Sequence, residues 1–263
     1  MSDDRLAFPD EFAIPQAPEH FVVHVSADAQ FILCVNQHEI ARGPSRSDLA
    51  HWKYETYDLG KLLHSGKNEI AATVWNFGVT PLAQITDRTA FVLQGETATE
   101  AIANTDDSWE VEEEKGIQTL PTPTDFEKVY YVAEPAERID GAVLDWSWND
   151  AASPHGKWEK PLLIGYAQLR GAALQNNNWQ LVPDTLPAMQ VELTPAGRVV
   201  RATGIESPAN FPGSAFEIPA HSKVSLLLDQ SHLTTAYPEL TVSGGAHGTV
   251  RLTYAEALFD SNG

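Results

Sequence analysis

A polar loop between two strand-like runs carries the side chains best suited to holding a small ligand. The loop is Gly43–Tyr57 (GPSRSDLAHWKYETY). Together with the end of the run Glu69–Trp75, it supplies Arg46, Asp48, His51, Trp52, Tyr54, Trp75 and Asn76. A sugar presents an apolar face of C–H groups and a rim of hydroxyls. Proteins meet it with an aromatic plate and with Asp, Asn or Arg groups that accept or donate hydrogen bonds. Trp52 carries the most weight, because a large ring in a polar loop has less apolar reason to be there than one on a strand. Trp75 ends a strand, where side chains reach the rim of a sandwich. The same residues also have a packing use: the three rings can fill a core or brace the loop, while Arg46 and Asp48 pair and cap it. Sequence leaves both uses open.

Other chemistry has less footing. Glycoside hydrolysis needs two carboxyl groups about 5 to 9.5 Å apart across one bond. With 36 acidic residues, spacing alone selects no such pair, so no catalytic residue is assigned. The nine histidines are scattered, with no H-E-x-x-H and no close pair, which speaks against zinc. No G-x-S-x-G elbow occurs. Ser243–Gly248 (SGGAHG) lies between strand-like runs and not ahead of a helix, so it reads as a hairpin turn and not as a phosphate loop. No metal and no cofactor are expected.

The elements that must position the loop read as β. Phe21–Val25, Phe31–Val35 and Glu39–Arg42 alternate or run apolar at strand length, with a tight turn at Asn36–His38. They read as a meander. Glu69–Trp75, Thr89–Gln94 and Ser108–Val111 follow, and Asp58–Leu63 allows one helical turn. Residues 1–20 hold Pro9, Pro15 and Pro18 and provide one edge strand at most. Thr119–Pro123 marks a boundary, and Lys128–Val132 is strand-like beyond it. Residues 145–188 are irregular and carry Trp146, Trp148, Trp158 and Trp179. A second strand cluster runs through Met189–Leu193, Arg198–Ala202, Ser214–Ile218 and Lys223–Leu228, and ends in a hairpin of Leu240–Ser243 with Val250–Tyr254. No long stretch shows a 3.6-residue apolar period. The expected fold is all-β: two jelly-roll β-sandwiches, residues 1–125 and 126–263, joined by the irregular Trp-rich connection.

Composition narrows the partners. The net charge of −19 opposes binding to nucleic acid, where a basic stripe supplies most of the affinity, and opposes an anionic membrane surface. From Glu96 to Asp140 there are thirteen acidic and three basic residues, read as a solvated face because no D-x-D-x-D-G calcium spacing is present. The single cysteine, Cys34, excludes an internal disulfide and reads as a buried apolar group. No signal peptide is visible after Met1, and the compartment stays unassigned.

Four groups of residues resemble one family. Gly43–Asp58 followed by Gly66–Gly78 looks like the sugar-binding-type jelly roll that precedes the catalytic domain of bacterial α-L-rhamnosidases. Asn104-Thr-Asp-Asp-Ser-Trp109 looks like a segment of the same region. Trp179–Pro183 with Leu186–Met189 resembles the linker before the family's second sandwich. Leu227–Gln230, Thr235–Pro238 and Leu252–Asp260 resemble the end of that sandwich. In order, the matches span residues 21–260.

The resemblance implies a non-catalytic N-terminal portion of a glycoside hydrolase. Its partners would be a rhamnose-containing glycan and the catalytic (α/α)6 barrel of the same parent chain, which holds the catalytic carboxylates. An unpaired sheet edge and an uncovered docking face would favour self-association. The family's opening strand, with its Arg and Trp, is not recognisable in residues 1–20. A free-standing carbohydrate-binding or assembly protein is the alternative reading; an intact small hydrolase is disfavoured.

Overall fold

A computed structural model describes residues 4–78, 84–120, 135–150, 158–173 and 178–256. The protein is all-β, and its only helical pieces among these residues are short 3-10 turns. Its strands are β1 (Asp4–Ile14), β2 (Val22–Asp28), β3 (Gln30–Val35), β4 (His38–Gly43), β5 (Trp52–Asp58), β6 (Gly66–Asn76), β7 (Ala90–Gly95), β8 (Glu112–Glu113), β9 (Ile117–Thr119), β10 (Glu137–Ile139), β11 (Leu181–Pro183), β12 (Arg198–Thr203) and β13 (Ser225–Asp229). The chain divides into two compact units, Met1–Leu186 and Pro187–Gly263. The boundary expected at 125/126 falls earlier, in a stretch (121–134) outside the described residues, as does the expected strand Lys128–Val132.

In the first unit two sheets share one core. One has the order β4-β3-β6-β1-β8, the other β11-β5-β2-β7. Alternation explains which residues meet. Val23 and Val25 of β2 and Leu93 of β7 face Phe31, Leu33 and Val35 of β3 and Ile70, Ala72 and Val74 of β6, all buried in one cluster. Full burial of each larger aliphatic or aromatic side chain contributes roughly 1.5–3 kcal/mol, enough to fix the register of every strand that carries the pattern. The expected meander is corrected here. β2 pairs with β5 and β7, whereas β3 pairs with β4 and β6, so the consecutive strands β2 and β3 belong to different sheets while β3 and β4 form a hairpin. The turn at Asn36–Gln37 forms as expected, with both residues at positive φ (48° and 67°) as a two-residue hairpin connection requires.

Residues 4–14 form a strand longer than their prolines led one to expect. β1 pairs with β6 along its whole length, from Asp4 opposite Asn76 to Ile14 opposite Gly66. On its other side, among the described residues, it pairs with β8 at Leu6 and Ala7, which leaves Pro9 outside that ladder. Asp10 takes a core-facing slot between Phe8 and Phe12 and is 7% exposed, with Oδ2 lacking a hydrogen-bond partner among the described residues. Burial, reinforced by the nearby Asp106 charge, pushes its pKa up to about 6.

The second unit is built differently. Among its described residues, the ladder is the antiparallel pair β12-β13. The expected strands Met189–Leu193 and Ser214–Ile218 are not paired, nor are the two arms of the expected hairpin, Leu240–Ser243 and Val250–Tyr254. The turn of that hairpin does form: Gly244 and Gly245 sit at φ 69° and 66°, and the Gly248 N–H donates to the Gly245 carbonyl at 2.7 Å. Local turn chemistry is satisfied without a ladder, because a strand also needs a neighbour for its backbone groups and a face to bury.

Candidate functional site

The loop residues do not form one open surface. Trp52 opens β5 with its ring turned inward, 2% exposed, and its indole N–H donates to the Ala27 carbonyl at 3.2 Å. The covering strand comes from far along the chain. β11 adds in parallel to β5, with Leu181 opposite Trp52, and the Trp52 N–H donates to the Gln180 carbonyl at 2.9 Å. A ring enclosed on these terms offers no plate to a sugar, so Trp52 is a core residue. Asn76 is also buried; its amide donates to Asp28 Oδ1 at 3.2 Å and its Oδ1 accepts from the Gly78 N–H at 3.0 Å. Asp48 caps the turn Leu49–His51, accepting from the Ala50 N–H at 2.8 Å and meeting His51 Nδ1 at 3.0 Å. That contact with His51 holds the Asp48 carboxyl below its ordinary range. Tyr54 is half-buried and stands edge-on to His24, ring centroids 5.3 Å apart. Arg46 is exposed and Trp75 half-buried.

The motif Asn104–Trp109 has a structural role. Asn104 Oδ1 accepts from the Gly95 N–H at 2.7 Å, and its carbonyl accepts from the Trp109 indole at 3.0 Å. Trp109 is buried against Phe91, 5.6 Å between centroids. Asp28, at the end of β2, is a second hub. Its Oδ2 accepts from the Asp87 N–H at 2.7 Å and from the Trp179 indole at 3.0 Å, tying residues far apart in sequence. Burial pushes the Asp28 pKa to about 6 in spite of these donors. Cys34 is buried as expected, and burial pushes its thiol up to about 11.

A cavity of about 180 Å³ lies elsewhere in the first unit, on the outer face of the β3–β6 pair. Its floor is Ile32 and Thr73, register partners on those strands, which point away from the core. Its walls come from the segment after β10. β10 pairs with β9, bringing Ile139 opposite Ile117, and the Asp140 N–H donates to the Gly116 carbonyl at 2.8 Å. The following turn packs so closely that a Cβ on Gly116 would stand 2.4 Å from Leu144 Cα. Glu114 then fastens the segment, with Oε1 accepting from the Gly116 N–H at 2.5 Å and Oε2 from the Asp145 N–H at 3.2 Å. Asp145 Oδ1 accepts from the Ser147 N–H and hydroxyl, each at 2.8 Å. The result places Leu144, Asp145, Trp146 and Trp148 around the opening, beside Glu114 and Ile117. Trp146 is 73% exposed, yet its indole N–H is committed to the Gly141 carbonyl at 2.9 Å. Sequence reasoning missed this site; the signal available was two tryptophans and two acids within Asp145–Trp148 and Glu114, in a stretch with no strand periodicity. Among the described residues, no group of three or more His, Cys, Asp or Glu side chains is placed to hold a metal ion.

No protein-family model matches the chain, and no curated protein matches it. Among solved structures, the GH78 family rhamnosidase of Bacillus sp. GL1 aligns with a TM-score of 0.63 and 26% identity, over 78% of this chain and 21% of that one. The likeness to α-L-rhamnosidases is present. The α-L-rhamnosidase of Dictyoglumus thermophilum aligns with a TM-score of 0.48 and 19% identity, over 80% of this chain and 21% of that one. The chain thus spans about a fifth of the length of these solved rhamnosidases.

Proposed function

We propose that this chain is the non-catalytic N-terminal portion of an α-L-rhamnosidase-like glycoside hydrolase, supporting the catalytic domain and contributing to carbohydrate binding. The observation that carries this reading is the match to the Bacillus rhamnosidase, which takes in most of this chain and about a fifth of the enzyme. Two features support it. The second unit leaves large apolar side chains uncovered, with Val191 83% and Leu193 92% exposed, which suits a face made to dock on a further domain. Glu114 beside the cavity accepts backbone N–H groups with both oxygens, a positioning role within the fold.

The test compares three proteins: this chain, the full reading frame of its gene, and that reading frame without residues 1–263. This chain alone is expected to leave an aryl α-L-rhamnoside intact, because the acceleration belongs to a positioned carboxylate pair. The full protein is expected to hydrolyse it, and the shortened one to lose activity faster on heating. Turnover by this chain alone that disappears on replacing one of its acids would refute the reading.

A further inference from the structure

We propose that the cavity between Trp146, Trp148 and the outer face of β3–β6 is a binding site for a small quaternary ammonium ion. The site is separate from the supporting role proposed above and does not depend on it. Its first support is Trp146. The ring is left 73% exposed, and its orientation is fixed by the hydrogen bond from its N–H to the Gly141 carbonyl. It lies close over the turn: a Cβ on Gly141 would stand 3.5 Å from Trp146 Cζ2. The face of an indole carries negative potential and attracts a cation placed over it, more strongly than a tyrosine or phenylalanine ring does. Trp148 lines the same opening. A plate held in place before the ligand arrives loses little freedom on binding.

The second support is how the carboxylates are used. Glu114 accepts from the Gly116 and Asp145 N–H groups, and Asp145 accepts from Ser147 and has a further interaction besides. A ligand that must donate hydrogen bonds competes with the donors already in place. A quaternary ammonium donates none. It needs only negative charge nearby, and a carboxylate supplies that whether or not its lone pairs are occupied. Among the described residues no Lys or Arg lines the cavity to compete for that charge, and the chain as a whole carries −19. The third support is Ile32, Ile117 and Leu144, aliphatic walls that suit N-methyl groups. A primary ammonium, with strongly hydrated N–H groups, would give up water against these walls without replacing it. The cavity, about 180 Å³, is smaller than the roughly 300–1,000 Å³ of pockets that take drug-sized ligands, which suits an ion of this size.

The experiment is a titration of the full 263-residue chain followed by amide NMR shifts. The probes are choline, ethanolamine (the same skeleton with a primary ammonium), the neutral tert-butyl isostere of choline in which carbon replaces nitrogen, and methyl α-L-rhamnoside. Choline is expected to saturate with a dissociation constant on the order of 0.1–10 mM, given its few atoms, and to move the amides of residues 144–148. Ethanolamine and the neutral isostere are each expected to bind at least about fivefold more weakly. Added sodium chloride should weaken choline and not the isostere. Trp146→Ala, at an exposed ring, is expected to keep the melting temperature and to weaken choline at least about fivefold, while Trp146→Phe retains part of the affinity. Phosphatidylcholine vesicles present the same headgroup beside a phosphate, which the acidic lining opposes, and are expected not to co-sediment with the chain. An isostere that binds as well as choline, choline affinity untouched by Trp146→Ala, a rhamnoside that moves the same amides at lower concentration than choline, binding to vesicles alone, or no saturable choline shift would each overturn the assignment. The comparison of choline with its isostere uses the unaltered chain, so it decides the matter even if Trp146→Ala perturbs the fold.

Discussion

The two units carry similar apolar alternation and use it in opposite ways. In Met1–Leu186 the inward residues of facing strands close into one cluster, including Val23, Phe31, Ile70 and Leu93. In Pro187–Gly263 none of the described residues is buried, although Met189, Val191 and Leu193, or Val250, Leu252 and Tyr254, alternate as regularly. The contrast teaches that alternation declares a willingness to pair and does not supply the partner. A two-stranded ladder such as β12-β13 is marginal by itself in water. The first unit supplies its own second sheet; the second presents apolar side chains to solvent, which is where the proposed docking face comes from.

The sharpest way to break that contrast is to remove one side of it. A chain ending at Leu186 is expected to keep the main cooperative unfolding transition and to lose most of the fluorescence that a hydrophobic dye gains with the full chain. Equal dye binding by both would show that the uncovered apolar surface lies in the first unit. The next largest effect is expected at Trp52. Trp52→Ala empties a fully enclosed site and should destabilise the first unit by about 3–5 kcal/mol in denaturant melts. A loss below about 1 kcal/mol would return this ring to the surface and reopen the loop as a sugar plate.

Asp10 gives an effect of opposite sign. Its pKa is raised from 3.8 to about 6 in the folded chain. A raised carboxyl favours folding while it is protonated, so its contribution is complete below about pH 4 and is lost as pH climbs through about 6. Asp10→Asn is therefore expected to stabilise the protein at pH 7.5 by as much as about 3 kcal/mol and to leave stability at pH 3.5 nearly unchanged. Equal stabilisation at both pH values would show that ionisation is not the cause. The smallest effect is expected at Asp48. Loss of its capping contact in Asp48→Ala should lower the melting temperature only slightly, by much less than Trp52→Ala does. A drop as large as that of Trp52→Ala would show that Asp48 does more than cap the turn.

The legible parts of the sequence were those whose cause is local. Phe31–Val35 announced itself as a short apolar run, Glu69–Trp75 by alternation, and Asn36–Gln37 by turn chemistry. β1 was harder to see, because Leu6, Phe8, Phe12 and Ile14 form a clear series only once Asp10 is known to occupy the slot among them. Trp52 was left between core and surface for a related reason. Its neighbours Lys53 and Glu55 are polar, and nothing near it in sequence hints that Leu181–Pro183 will lie alongside. The cavity lacked a periodic signal altogether, since its walls are a turn held by Glu114 and the Gly116 approach.

Sequence by itself determined the all-β class, strand-like runs such as Phe31–Val35 and Glu69–Trp75, and the buried thiol, and its motifs carried the resemblance to rhamnosidases. The first three follow from residue type and short-range spacing, which act before any tertiary contact exists. Tertiary structure alone decided that β2 and β3 part into different sheets, that β11 returns across more than a hundred residues to cover Trp52, and that Trp146 and Trp148 stand over Ile32 and Thr73. Those outcomes depend on which distant backbone edges and faces are still unpaired when the chain closes, and that depends on the whole molecule.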